Sequence, residues 1–238
     1  MFQVIGRGHE TELEGEAVAP VGAGAEDVRR RTSGCLAEAS AHPETQGNRL
    51  TIDMAIPSAF WLQQVRGDRQ IFVETGTHRG DGVQAALNAG FPCIHSVEVN
   101  PVDYGWSMHR FWHHRDRVHL VHGDSRMFLR KLAPTLTTKA VFWLDAHYCA
   151  SGGGSVEDCP LVDELRAIMA HGLLDVHTIM VDDARYLRDG TEGFPSEMAL
   201  RKMLLRFNPC YTFQLHDSRD FKQDIFVATA KRGRRTEA

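Results

Sequence analysis

The sequence predicts an α/β fold: a doubly wound, mostly parallel seven-stranded sheet closed by an antiparallel C-terminal hairpin. Three observations predict it. Five β-branched or aromatic bursts alternate with stretches of helical spacing, the signature of parallel strands joined by crossover helices. Two final bursts, "CYTFQLHD" and "DIFVATA", are separated by six residues, too few for a crossover, so they must pair antiparallel. Glycines and carboxylates collect where the bursts end, and in doubly wound sheets ligands sit beyond those strand ends. The outline is a Rossmann-like sheet with a reversed edge strand.

The elements come in order along the chain. Residues 1–54 are rich in Ala, Gly, Glu and Arg and read as a variable extension, with "AEDVRRRTSGCLAEA" a short helix candidate; the domain proper is 55–238. "SAFWLQQV" has the spacing of a helix that packs its aromatics on the elements after it. Strands are expected at 71–74, 93–98, 118–122, 140–145 and 176–183, with helices near 81–89, 101–114, 125–132, 160–171 and 195–206. The stretch "CASGGGSVEDCP" after the fourth strand reads as a loop able to cover bound ligand. "RYLRDGTEGFP" is a second loop that can shape an acceptor site, and "KRGRR" is a basic end.

Composition narrows the function classes. The 238 residues carry a net charge of −4, unlike a general phosphate-backbone binder, so no nucleic-acid partner is expected. No apolar run reaches membrane-spanning length, and the N-terminus lacks the basic-then-apolar order of a signal peptide. The five cysteines (Cys35, Cys93, Cys149, Cys159 and Cys210) form no CxxC pair, which suits a reducing compartment and gives no zinc signature. The expected location is the cytoplasm, with homo-oligomerisation left open.

The strand ends carry the chemistry. "IFVETGTHRGDG" ends a strand in Glu74 and turns through Gly76, Gly80 and Gly82, where glycines admit a tight turn and a helix start offers free N–H groups. It departs from GxGxxG, with Thr77 and His78 where a second glycine would sit. Glu98 ends the second strand 22 residues past Gly76, a position from which a carboxylate accepts ribose hydroxyls. Asp124 in "HGDS" is suited either to an adenine amino group or to capping the next helix. Asp145, Asp182 and Asp183 end neighbouring strands, where unpaired carboxylates would repel and a divalent cation such as Mg²⁺ would relieve them. The competing reading is a helix cap and a pair with Arg185, and the vicinal aspartates can converge only if the strand has ended. His147 points into the same mouth and can accept a proton near neutral pH. His109 and His113 have i, i+4 spacing beside Trp106 and Trp112 but no acidic partner, which favours a solvated face.

In this order and spacing, "VETGTHRG", "SVEVNP", "VHGDS" and "VFWLDAHY" resemble the motifs of class I S-adenosylmethionine-dependent methyltransferases, over about residues 55–230. The nearest resemblance is to the metal-dependent macrocin-type O-methyltransferases, from which "DAHYCASGGG" departs in its post-strand loop. The resemblance implies S-adenosyl-L-methionine as cofactor, held by Glu74, Gly76, Thr77, Gly80, Glu98, Asp124, Ser125 and Asp145. It implies Mg²⁺ or a relative on Asp145, Asp182 and Asp183, with Asp145 and His147 as the catalytic pair. The implied reaction moves a methyl group to a hydroxylated small molecule. A nicotinamide-dependent oxidoreductase and a non-catalytic binding scaffold are the alternatives.

Overall fold

The computed structural model describes residues 58–147, 159–170, 177–190 and 193–230. The N-terminal extension, Cys149, most of the glycine-rich loop after the fourth strand and the basic end lie outside them. Seven strands form one sheet: β1 (Ile71–Thr75), β2 (Cys93–Glu98), β3 (Val118–His122), β4 (Ala140–Leu144), β5 (Thr178–Val181), β6 (Tyr211–His216) and β7 (Ile225–Ala230). The helices are α1 (Ala59–Arg66), α2 (Asp81–Asn88), α3 (Pro101–Arg110), α4 (Ser125–Leu132), α5 (Leu161–Met169), α6 (Arg185–Asp189) and α7 (Glu197–Phe207).

The strand order is β3-β2-β1-β4-β5-β7-β6. β1 to β5 are parallel, and β7 runs antiparallel to both β5 and β6. The reversed strand is therefore β7, inserted inside the sheet, rather than an edge. Composition explains this. "IFVATA" buries its first four residues and tolerates cover on both faces, whereas β6 has one buried residue among six and suits an edge.

Alternation along the central strands divides the core. Phe72, Val141 and Trp143 pack with Leu62, Val83, Ala86 and Phe91 of α1, α2 and the following turn. Val73, Phe142 and Leu144 face the other way, onto Leu129, Leu165, Ile168, Leu200 and Leu204 of α4, α5 and α7. All five residues of β4 are buried, as expected of a strand covered on both faces. Each large apolar side chain buried here contributes about 1.5–3 kcal/mol.

Local signals set the helix starts. Ser58 accepts from the Trp61 N–H, Asn100 from Val102 ahead of Pro101, and Ser196 from Ala199. The expected helix over 101–114 stops at Arg110, because Phe111 turns inward to 3% exposure and a separate 3₁₀ turn follows at Trp112–His114. His109 and His113 thus sit on different elements, both exposed, as on a solvated face. The stretch from Arg185 read as loop opens with α6. No helix among the described residues is long and apolar enough to cross a membrane.

Candidate functional site

The order places β1 and β4 side by side with chain connections diverging on either hand, the switch point at which doubly wound sheets hold ligands. At the end of β1 the chain turns through Gly76, whose N–H donates to the Val97 carbonyl at 3.0 Å; the Thr77 N–H donates to the same oxygen. Gly76 has φ +82°, and a Cβ there would lie 2.4 Å from the Asp145 carbonyl oxygen. Gly80, at φ +85°, would drive a Cβ to 2.3 Å from the Phe111 ring. Both glycines are thus required by contacts inside the chain: one closes the β1 turn on the end of β4, the other seats the start of α2 on Phe111.

Glu74 lies beneath this turn, 2% exposed. Ser96 donates to its Oε2 at 2.6 Å, and Thr77 is joined to Ser96 at 2.6 Å, so a hydroxyl chain runs from the turn to the acid. A Cβ on Gly82 would fall 1.9 Å from Glu74 Oε1, which explains the third glycine of the motif. Burial pushes the Glu74 carboxyl up to about 8, with Glu98 and Asp81 adding repulsion against the Ser96 hydrogen bond.

Glu98 ends β2 at 7% exposure. Its oxygens accept from the backbone N–H groups of His78, at 2.6 Å, and Asn100, at 2.7 Å. The carboxylate therefore clamps the β1–α2 turn to the start of α3. Each oxygen keeps a further lone pair for a hydroxyl donor. Asp124 caps α4 by accepting from the Met127 N–H at 3.1 Å and pairs with Arg126 at 2.7 Å; these hydrogen bonds hold its carboxyl below the usual range. Capping is the role its geometry displays. Asp124→Ala should cost about 1 kcal/mol of stability, and Asp124→Asn should restore most of it, measured by urea denaturation. Equal midpoints for all three proteins would rule out the cap.

Beyond β4 and β5 lie Asp145, His147, Asp182 and Asp183. β5 ends at Val181, and Asp183 adopts φ +53°, so the two vicinal aspartates are released from the alternation of a strand. Among the described residues, the acidic group with oxygens all within 4.8 Å is Asp182, Asp183 and Asp224. Asp145 is not a member, although burial drives the Asp182 carboxyl well above the usual range and the charges of Asp145 and Asp183 add to it. Asp224 enters because β7 inserts beside β5, a long-range pairing that strand-end reading does not supply.

Arg185 and His147 serve this group. Arg185 reaches Asp183 at 2.5 Å and Asp224 at 2.7 Å, and His147 Nε2 is bonded to Asp183 Oδ2 and lies 3.7 Å from Asp145 Oδ1. Burial pushes the Asp183 carboxyl up, but His147 and Arg185 outweigh it and hold the group below its usual range. The pairing with Arg185 weighed from the sequence is thus present. Asp182 is 3% exposed, and among the described residues its Oδ1 has no hydrogen-bond partner. A buried orphan oxygen among carboxylates, in an all-oxygen donor set, fits a hard divalent cation.

Glu164, in the first turn of α5, went unnoticed in the sequence. It is 1% exposed, and burial pushes its carboxyl up to about 7. Its signal was legible: in "LVDELRAIM" it shares the apolar face of Leu161, Leu165 and Ile168, where an acid is out of place. Ser125, on the adenine side by expectation, is buried at the start of α4.

No protein-family model matches the chain, and no curated protein matches its sequence. Solved structures do match. One is the O-methyltransferase from Bacillus cereus in complex with S-adenosylhomocysteine (SAH), with TM-score 0.53 and 14% identity over 73% of this chain and 80% of that one. Another is the O-methyltransferase TomG from Streptomyces achromogenes, involved in tomaymycin synthesis and solved with S-adenosylmethionine. Its TM-score is 0.53, at 13% identity over 73% of this chain and 79% of that one. Identity at this level speaks for architecture alone, and the architecture of this chain is the Rossmann-like fold of these methyltransferase structures.

Proposed function

We propose that the chain is an S-adenosylmethionine-dependent methyltransferase that transfers a methyl group to a hydroxyl of a small molecule. The observation that carries this is the rim at the β1–β4 switch point. There Gly76 closes on Asp145, and Glu98 is held at the end of β2 with lone pairs to spare. Backbone around Gly76, Thr77 and Gly80 lines the methionine end, with Glu74 supporting the turn from below. Glu98 takes the ribose, and Asp124 and Ser125 border the adenine.

The sulfonium makes the methyl electrophilic, so the protein supplies alignment and charge. His147 accepts the hydroxyl proton. Asp183 takes the Nε2–H, which fixes the tautomer and leaves Nδ1 as the basic nitrogen. Asp182 and Asp183, with Asp224 in the place expected for Asp145, would hold a divalent cation, which would lower the pKa of the acceptor hydroxyl. The chain acts in the cytoplasm on a soluble acceptor, without nucleic acid or membrane.

Isothermal titration with SAH tests the cofactor. Wild type should bind with a dissociation constant on the order of micromolar, and Glu98→Ala should weaken it at least tenfold, about 1.4 kcal/mol. Absence of binding by folded wild type would sink the proposal and favour a nicotinamide ligand.

A further inference from the structure

Arg185 reaches into the acidic group beyond β5 with both its side chain and its backbone. Its Nη1 donates to Asp183 Oδ1 at 2.5 Å and to Asp224 Oδ2 at 2.7 Å, so one nitrogen bridges two carboxylates. Its backbone N–H donates to Asp224 Oδ1 at 3.2 Å. The other contacts of these acids come from His147, bonded to Asp183 Oδ2, and from Ser218, which donates to Asp224 Oδ2 at 3.2 Å. Asp224 is fully buried, so its charge depends on these partners rather than on solvent.

Two rings hold the guanidinium as well. Its carbon lies 4.4 Å from the centre of the Phe221 ring and 4.6 Å from that of Tyr186, both within cation–π range. The charge of an arginine is permanent and its planar fork suits such a place. The Arg185 side chain is nonetheless 29% exposed, so it can swing out to solvent without unpacking the core.

A divalent cation would need the same oxygens. Hard cations sit about 2.0–2.6 Å from carboxylate oxygens, and an ion so placed on both Asp183 and Asp224 would lie about 4 Å or less from Nη1. Like charges that close repel strongly in a half-buried site. Ion and guanidinium therefore exclude each other from the bridge.

We propose that Arg185 is a built-in competitor for the cation site. It occupies the bridge between Asp183 and Asp224, and a divalent cation enters only as the guanidinium leaves. Arg185 thereby sets the affinity of the site and keeps its buried acids paired when no cation is bound. Asp182, whose Oδ1 has no hydrogen-bond partner among the described residues, is the acid that Arg185 leaves open to the ion. This inference rests on the cation site proposed above.

The test is calorimetric titration of Mn²⁺ into wild type, Arg185→Gln and Phe221→Ala, with melting curves of each protein. Arg185→Gln should bind Mn²⁺ at least about tenfold more tightly than wild type. Without the ion it should melt below wild type, because Asp183 and Asp224 lose their partner. Saturating Mn²⁺ should then raise its melting temperature by more than it raises that of wild type. Phe221→Ala leaves every charge in place and removes one ring, so it should tighten Mn²⁺ binding about two- to fivefold. Equal or weaker Mn²⁺ binding by Arg185→Gln would overturn the proposal while leaving the cation site intact. Should Arg185→Gln fail to fold, Phe221→Ala decides, and wild-type affinity in that variant overturns the proposal. Failure of all three proteins to bind Mn²⁺ takes down the cation site and this inference together, and the SAH titration judges the cofactor separately.

Discussion

Gly76→Ala is expected to lower the melting temperature by about 10 °C and to abolish SAH binding. Two costs add. An alanine at φ +82° occupies the left-handed region, at about 1–2 kcal/mol. Its Cβ would also lie 2.4 Å from the Asp145 carbonyl oxygen and 2.8 Å from the carbonyl carbon, and backbone cannot swing aside as a side-chain tip can. The β1 turn must lift off the end of β4, which breaks the rim the cofactor would occupy. Together these reach about 3–5 kcal/mol, at the severe end for a point change, and a domain of this size loses about 2–4 °C per kcal/mol. Differential scanning calorimetry with SAH titration checks both parts. A variant that melts with wild type would show that the turn and the β4 end do not press on each other.

The second large effect concerns pH. A buried acid whose pKa is raised in the folded state favours folding while protonated and loses that advantage as pH climbs from its unfolded value to its folded one. For Glu74 the window runs from 4.5 to about 8, a span worth up to about 5 kcal/mol. Wild type should therefore lose stability between pH 5 and pH 8.5. Glu74→Gln removes the charge and keeps an oxygen for Ser96, which donates at 2.6 Å. It should flatten the decline and melt roughly 5–10 °C above wild type at pH 8.5, while the two proteins stay close at pH 5. Glu164 and Asp182 shift in the same direction and leave a residual slope. Parallel melting curves for wild type and Glu74→Gln would mean that Glu74 is not the group responsible.

The sequence by itself determined the architecture. Strand and helix alternation is a local pattern, because each element must present one apolar face or two, and the six-residue link between the last strands leaves only antiparallel pairing. The acids at the strand ends were legible for the same reason: position at the end of an apolar burst is a one-dimensional fact. Tertiary structure decided what each acid does. Glu74 proved to lie under the turn, Asp124 proved to cap α4, and Asp183 proved to be shared by His147 and Arg185. The insertion of β7 beside β5 brought Asp224, 41 residues beyond Asp183, into the acidic group. The packing of α5 on α4 buried Glu164. Burial, charge pairing and shared hydrogen bonds depend on what approaches from elsewhere in the chain. Local periodicity carries no record of that approach.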